Sequence, residues 1–507
     1  MIDLTAVSQG LDLLFQWQVL LFIFIGLLVG IILGAIPGVS GTLGIALMLP
    51  LTYHMQPIDA IMFLSAIFTG SVYSGGVTAI MLNIPGAPGA VATTLDGYPM
   101  TKNGRQNEAL GAGLMSSVIG CLIGYMVIFI FLEPLGNLVL AFQAPEMLML
   151  TVFALSIIST VKGSVSKTLI VGFLGLLLGS IGATAFGRAR GTFGEAALYE
   201  GIQLVPALMG LLAISELFFL IQRKFITGEG TGNVQKSFTP ILKGMKLVVK
   251  QKLNVIRSTF IGVIIGLLPA AGSTVASLVS YSQAQTFSKN KSNFGKGEPA
   301  GLVAAETANN GSESGGMATM LTFGIPGGSA TAVLMAAFMI HGLSPGPFLV
   351  RDHMDMTYAV IIGNFLQGIL LIGIGVLFIW YFSKVVLVPT RLLIPIVTIF
   401  CFLGAFSVRG IYLDVILTLG FALIALIMRK LDYPIIALLL GLILGGTIDG
   451  ELTRTMVMYE GQYWSLLQRP IFTGMLVVTI ILFLVPSIQT VLNKRKENNE
   501  VKQDTSM

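Results

Sequence analysis

The chain has 507 residues, of which 54% are hydrophobic and only 10% are charged. Soluble domains carry about a quarter charged residues, so an ordinary soluble core is excluded. A mean hydropathy of +0.88 instead predicts a chain whose solvent is mostly lipid. The net charge of +5 does not indicate a nucleic-acid partner, because the positive residues fall in short loops between apolar runs.

Apolar segments follow one another along the whole chain. In the first half they span about residues 18–52, 59–82, 110–132, 145–161, 168–187 and 203–221. After a polar stretch, those of the second half span about residues 258–282, 301–340, 357–383, 392–408, 411–429, 433–450 and 470–492. At about 20 residues per crossing, they predict an all-α polytopic membrane protein with roughly 12 transmembrane segments.

Gly and Pro interrupt several of these segments. The run 18–52 is long enough for more than one crossing, and the region 59–97 contains the sequence NIPGAPG. Backbone groups that Pro and Gly release find no partner in lipid. Such segments therefore predict broken or re-entrant helices that are buried in protein or line a wet cavity. Ordinary Gly and Pro enrichment of membrane helices is the alternative.

The interruptions recur in the two halves of the chain. GIILGAIPGVSGT at 30–42 aligns without a gap on GVIIGLLPAAGST at 262–274, and three short matches follow in the same order: SGG, IPG and YEG. Four ordered matches indicate a duplication. They divide the chain into repeat 1 (1–222), a linker (223–257), repeat 2 (258–492, with an extra helix at 411–429) and a disordered tail (493–507).

The distribution of Lys and Arg predicts the orientation of these parts. By the positive-inside rule, the linker and the tail are cytoplasmic and the N-terminus is outside. Counting crossings then makes the helix at 110 start inside and its counterpart at 357 start outside, so the repeats are predicted to be inverted, as in many secondary transporters. One loop resists this scheme, because Lys289, Lys291 and Lys296 fall outside if 258–282 crosses once.

The paired motifs PGVSGT and PAAGST predict a substrate site. A half-helix N-terminus carries positive partial charge and favours carboxylates, while small residues let a ligand reach the backbone. The alternative is close helix packing through small residues. The predicted substrate-binding residues are Pro37, Gly38, Ser40, Gly41, Thr42, Gly272, Ser273 and Thr274.

The second pair of motifs surrounds SGG and IPG, and it predicts a cation site. Side-chain oxygens and unwound backbone carbonyls are hard ligands that suit sodium, with helix packing and capping as the alternative. The predicted cation-binding residues are Asn83, Asn309, Asn310, Ser314 and Thr322. Glu306 and Glu313 are seven residues apart and share a helical face, where they serve either transport or a structural role.

Nothing in the sequence predicts an enzyme. The three histidines, His54, His341 and His353, follow no metal-ligand spacing, and there is no phosphate-binding loop. We therefore expect no cofactor and no metal site beyond the candidate sodium site. A membrane-embedded enzyme would need clustered catalytic groups, and a channel would need a continuous polar stripe.

At these motifs the chain resembles the large membrane subunit of the tripartite tricarboxylate transporter family. The resemblance covers almost the whole chain and rests on GAIPGVSGT, NIPGAPGAVATTLDGYP, FGKGEPAGLVAAETANN, FGIPGGSA and HGLSPGP. The chain departs from the family at Ala270, where Gly is usual, and at residues 311–313, where small neutral residues are usual.

The resemblance implies a function and partners that composition and spacing do not. It implies uptake of di- or tricarboxylates driven by a cation gradient, commonly sodium, across the bacterial cytoplasmic (inner) membrane. It also implies a small transmembrane subunit and an extracytoplasmic solute-binding protein as partners. The alternatives are a membrane channel or a stand-alone carboxylate symporter that needs no binding protein.

Overall fold

The structure is a computed structural model that describes residues 3–36, 40–161, 165–184, 188–215, 217–218, 238–269, 272–385 and 390–481. It confirms an all-α polytopic membrane protein. One antiparallel pair of two-residue strands, β1 (Gly182–Ala183) and β2 (Ala189–Arg190), interrupts the helices. The predicted tail and residues 223–237 of the predicted linker lie outside the described ranges.

The helices of the first half are α1 (Leu4–Leu14), α2 (Trp17–Gly34), α3 (Gly41–Met48), α4 (Pro57–Leu82), α5 (Val91–Lys102), α6 (Gln106–Leu140), α7 (Ala144–Val161), α8 (Val165–Gly179) and α9 (Leu204–Leu208). Those of the second half are α10 (Phe238–Lys250), α11 (Lys252–Leu267), α12 (Gly272–Phe287), α13 (Pro299–Phe323), α14 (Ser329–Ile340), α15 (Pro347–Asp352), α16 (Met354–Val385), α17 (Thr390–Ser407), α18 (Tyr412–Lys430), α19 (Ile435–Met458) and α20 (Pro470–Ile481).

Six of the described helices, α2, α4, α6, α16, α18 and α19, are long and apolar enough to cross a membrane. Shorter apolar helices include α7, α8, α14 and α20. Helix α4 is 94% buried over its apolar window, so it is surrounded by other helices. The exposed apolar side chains of α2, α16 and α18 are typical of helices that face lipid.

The chain forms two compact units. Unit 1 contains Met1–Leu140 and Gln203–Leu426, and unit 2 contains Ala141–Ile202 and Ile427–Met507. Each unit therefore takes a piece of both predicted repeats. The repeat boundaries themselves stay a prediction.

In unit 1 the helices of the two halves follow the same order. A break between α2 and α3 matches the break between α11 and α12, and the next helices have similar lengths, 26 residues in α4 and 25 in α13. Both begin with Pro in the first turn and end at a left-handed residue, Asn83 (φ 58°) and Gly324 (φ 67°). Helices α5 and α14 then have 12 residues each.

Helices α6 and α16, which hold equivalent places in this order, run antiparallel. A Cβ on Gly136, near the end of α6, would lie 2.9 Å from Val350 and 3.8 Å from Met354 at the start of α16. At the other end, Gly375 of α16 lies against Leu114 of α6. Helix α1 packs on α16, as α10 packs on α6.

Helices α11 and α12 form a hairpin that enters and leaves at the same end of unit 1. The Arg257 guanidinium near the start of α11 lies 4.6 Å from the ring centre of Phe287 at the end of α12. The loop after α12 contacts the loop after α5, where the Asn103 amide donates to the Lys296 carbonyl at 3.2 Å. The run 258–282 therefore does not cross once.

Basic residues of three segments meet at this end of unit 1. Lys243 of α10 pairs with Glu108 of α6 at 3.2 Å, and Arg105 pairs with the same carboxylate at 2.9 Å. Because Lys296 lies beside Asn103, the loop with Lys289, Lys291 and Lys296 is at this end too. The conflict with the positive-inside rule disappears.

In unit 2, glycines let α8 and α19 approach closely. Gly175 and Gly179 of α8 face the carbonyls of Leu438 and Leu442, and Gly441 faces the carbonyl of Gly172. Small residues at helix interfaces drive packing in membranes. Two ion pairs link further elements of this unit. Arg190 of β2 pairs with Asp449 of α19 at 2.9 Å, and Arg469, just before α20, pairs with Glu146 of α7.

Candidate substrate site

The first helix break places its hydroxyls at the start of α3. Ser40 is the N-cap of this helix, and its Oγ accepts from the backbone N–H of Leu43 at 3.3 Å. The Thr42 Oγ1 lies 2.9 Å from the Oγ of Ser329, at the start of α14 in the second half. Of the other predicted residues of this motif, Gly41 begins α3, and Pro37 and Gly38 lie outside the described residues.

The second helix break is placed in a corresponding way. Gly272 has a φ of +70° and begins α12, followed by Ser273 and Thr274. Ser273 lies against Gly89 of the first half, because a Cβ there would come within 2.6 Å of the Ser273 Oγ. The described contacts thus join each motif to the IPG segment of the other half.

Glycines join the IPG segments to their own half. The Gly86 N–H donates to the Gly75 carbonyl at 3.1 Å, and a Cβ on Gly86 would lie 2.8 Å from the Gly34 carbonyl oxygen. In the second half, a Cβ on Gly327 would lie 2.5 Å from the Gly316 Cα and 2.9 Å from the Gly266 carbonyl oxygen. Only glycine fits such approaches without a backbone shift.

These contacts close a circuit of four segments, which we call the four-segment ring: the described residues of 34–42 (34–36 and 40–42), 327–329, the described residues of 266–273 (266–269, 272 and 273) and 86–89. Thr42 of the first segment contacts Ser329 of the second, and Gly327 of the second segment contacts Gly266 of the third. The third contacts the fourth through Ser273, and the fourth returns to the first through Gly86. Contacts of the described residues therefore link the two predicted motifs through one circuit.

The ring gathers the N-termini of α3, α5, α12 and α14. The first backbone N–H groups of a helix have no partner within the helix, and each helix dipole places positive partial charge there. Here the Ser40 hydroxyl takes up the Leu43 N–H and the turn before α5 takes up the Val91 N–H. Such groups attract carboxylates or phosphates. The C-terminal ends of α2 and α11 contribute the carbonyls of Gly34 and Gly266, which carry the opposite partial charge.

The predicted cation-binding residues fall into three groups. Asn309 is 1% exposed and neither its amide oxygen nor its amide nitrogen has a hydrogen-bond partner among the described residues; the same holds for the Asn310 oxygen. The Asn309 oxygen lies against Gly89, and the Ser273 Oγ lies against the same glycine. In contrast, the hydroxyls of Ser314 and Thr322 donate to carbonyls of their own helix at 2.8 and 2.7 Å. Asn83 caps α4.

Two buried carboxylates of α13 tie this helix to the first half. Glu306 accepts hydrogen bonds from Thr93 of α5 and, at 3.1 Å, from Ser117 of α6. Glu313 accepts from Thr69 of α4 at 2.5 Å and from Tyr125 of α6 at 3.2 Å. All four donors are neutral hydroxyls, so each carboxylate orients helices of the opposite half without an ion pair among these contacts.

Sequence reasoning missed the role of Asp96. Its Oδ1 accepts from the backbone N–H groups of Gly295, Gly297 and Glu298 at 2.9, 2.8 and 2.9 Å. This carboxylate fixes the loop that leads into α13. The signal in the sequence is a lone acid in TTLDGYP and a glycine-rich FGKGEP, but nothing in either motif says that they meet.

Comparisons with known proteins agree with this picture. The sequence model of the tripartite tricarboxylate transporter TctA family matches residues 20–440. An uncharacterized 52.8 kDa protein in the TAR-I ttuC' 3' region of Agrobacterium vitis is 30% identical over 500 residues, which is 97% of this chain and 99% of the relative. An uncharacterized protein in the TAR-II ttuC' 3' region is 29% identical over 232 residues, 45% of this chain and 96% of the relative. No solved structure matches.

Proposed function

Because the chain belongs to the tripartite tricarboxylate transporter TctA family, we propose that it is the large subunit that carries di- or tricarboxylates across the membrane by cation-coupled secondary transport. The observation that supports this proposal most is the four-segment ring. Its four helix N-termini offer a site for an anion that contains no basic side chain, since residues 34–42, 86–89, 266–273 and 327–329 include no Lys or Arg.

The ring suits a substrate that must be released. Backbone N–H groups and the hydroxyls of Ser40, Thr42 and Ser273 donate to carboxylate oxygens without a buried counter-charge. A buried Arg would form charge-assisted, bidentate hydrogen bonds that are stronger. A neutral site of this kind holds a di- or trianion while leaving it free to depart on the other side.

We propose sodium as the coupling ion, with Asn309 and Asn310 as side-chain ligands. Their amide oxygens are buried without hydrogen-bond partners among the described residues, and oxygen is the ligand that hard cations prefer. The carbonyls at the ends of α2 and α11 are further candidates. Because the Asn309 oxygen and the Ser273 hydroxyl both lie against Gly89, a cation bound by Asn309 would lie close to a carboxylate bound by Ser273 and would attract it.

The two halves are proposed to be inverted repeats that alternate access to the ring. The antiparallel course of α6 and α16 supports this proposal. So does the charge of the two flanking helices, since α1 carries Asp12 and no basic residue while α10 carries Lys243, Lys246 and Lys250. Opposite charge is expected if the two helices lie on opposite faces of a membrane.

We further propose a small transmembrane subunit and an extracytoplasmic solute-binding protein as partners, and the bacterial cytoplasmic membrane as the location. The test is uptake of radiolabelled di- and tricarboxylates into proteoliposomes. The chain is reconstituted alone, with the small subunit, and with both partners, each with and without a sodium gradient.

Uptake that needs both partners and an inward sodium gradient supports the proposal. Uptake by the chain alone would make it a stand-alone symporter. Uptake that follows the carboxylate gradient only, with the rate of an open pore, would make it a channel. No carboxylate movement in any combination contradicts the proposal.

A further inference from the structure

A cleft of about 590 Å³ lies between the end of α4, helix α5 and the loop before α13. Small-molecule sites usually measure roughly 300–1,000 Å³, so the cleft is large enough for a di- or tricarboxylate. It is lined by Asn83, Thr94, Leu95, Tyr98, Pro99, Lys102, Asn103 and Lys296.

Cations and neutral donors share this lining. The ammonium of Lys102 lies 5.0 Å from the ring centre of Tyr98, and Lys296 comes from the loop that Asp96 fixes. Neither lysine has an ion pair among the described residues. Two acids lie nearby. The Asp96 Oδ1 accepts hydrogen bonds from three backbone N–H groups, and Glu298 interacts electrostatically with Arg105.

The cleft is continuous with the four-segment ring along the chain. Asn83 comes three residues before Gly86, and Thr94 comes five residues after Gly89. At 1.5 Å per residue, α5 covers about 18 Å from the ring to Lys102. A carboxylate that moved along α5 from the ring would therefore arrive at the end of the helix that carries Lys102.

The corresponding segments of the second half contain no lysine, and Arg351 beyond α14 is paired with Asp352. Helix α14, the counterpart of α5, contains no charged residue, and residues 49–56, which follow α3 as the lysine loop follows α12, contain no Lys or Arg. The two ends of the route through the ring thus differ in electrostatic attraction for an anion, with the lysines at the end where α10 also lies.

We propose that this cleft is a second carboxylate site, on the linker side of the membrane, where Lys102 and Lys296 bind the substrate after it leaves the ring. The site rests on the proposed function for its place in transport, but carboxylate binding to it is measurable separately. Asn83 and Tyr98 supply neutral hydrogen-bond donors to the oxygens that the lysines do not reach.

The first test uses the purified wild-type protein and citrate as the probe. Lysines are acylated with a water-soluble reagent, and the modified sites are quantified by mass spectrometry. Citrate is expected to protect Lys102 and Lys296 but not Lys291 and Lys246, two exposed lysines outside the cleft. Equal labelling with and without citrate, or equal protection by sodium chloride of the same ionic strength, overturns the proposal.

The second test uses Lys102→Gln and Lys296→Gln, with Lys291→Gln as the matched control. Each cleft variant is expected to raise the citrate concentration for half-maximal counterflow from the linker side by about tenfold, the loss of one charge-assisted hydrogen bond. An unchanged value in both variants overturns the proposal. If wild-type protein shows no counterflow but citrate still protects the lysines, the transport function fails while the cleft remains a carboxylate site.

Discussion

Helices α4 and α13 hold equivalent places in the two halves but carry different chemistry. Both start with Pro, are buried over most of their length, contact an IPG segment through a glycine and end at a left-handed residue. Helix α13 adds Glu306, Asn309, Asn310 and Glu313, whereas α4 has Asp59 alone in its first turn. We therefore propose that the shared backbone builds the ring for an anion and that the unshared side chains of α13 provide the groups for a cation.

The largest expected effect comes from the shared backbone. Gly327→Ala places a Cβ 2.5 Å from the Gly316 Cα and 2.9 Å from the Gly266 carbonyl oxygen, so the ring must open. We expect loss of transport and a fall in unfolding free energy of about 1–3 kcal/mol, as overpacking usually costs.

Gly328 is the matched control for that change. Its φ of −170° is ordinary extended backbone, and a Cβ there would meet nothing within 4 Å. Thermal unfolding of Gly328→Ala should match that of the wild type. If Gly327→Ala melts at the same temperature as Gly328→Ala, the close approach is not a constraint on the ring.

Next come the hydroxyls that both halves contribute to the ring. Ser273→Ala and Ser40→Ala should each weaken carboxylate binding by about 1–3 kcal/mol if the hydroxyl donates to a charged group. Ser40→Ala should also destabilise α3 because it removes the N-cap. Ser273→Phe should abolish transport in a folded protein. Equilibrium binding measures the affinities, and unchanged affinity in both Ala variants would contradict the assignment.

Changes to the polar side chains that only α13 carries should have a smaller effect, limited to the dependence of uptake on sodium. Asn309→Ala removes a buried amide oxygen and should raise the sodium concentration for half-maximal uptake by about fivefold, a loss of about 1 kcal/mol. Asn254→Ala is the control, since this amide bonds Gln251 and the Ala300 carbonyl outside the ring. An identical sodium dependence in the Asn309 and Asn254 variants would remove Asn309 from the cation site.

The smallest effect is expected at helix α10, where Lys243 pairs with Glu108 of α6. Lys243 is 70% exposed in its ion pair with Glu108, so Lys243→Met should lower the unfolding free energy by only about 0.2–1 kcal/mol. Arg105 still pairs with Glu108 in that variant. Gly244 of α10 lies against the Glu108 carbonyl oxygen of α6. A larger loss, measured in thermal unfolding, would mean that the ion pair rather than this close contact holds α10 on α6.

The sequence predicted the class of fold and the two helix breaks, because Gly and Pro act locally on the backbone. It did not predict that Thr42 meets Ser329 or that Ser273 meets Gly89. Duplicated motifs offer equivalent partners in either half, and local sequence does not choose between them. The sequence also did not decide on which side of the membrane Lys296 lies, since the 25-residue apolar run 258–282 fits one crossing as well as a hairpin.

A cryo-electron microscopy structure of the purified protein with citrate and sodium tests the central claim most directly. The account predicts density for the carboxylate inside the four-segment ring, within hydrogen-bond distance of the N-termini of α3 and α12, with Thr42 still beside Ser329. Residues 37–42 and 269–274 lying far apart, or citrate bound only at a place outside both the ring and the lysine cleft, would contradict it.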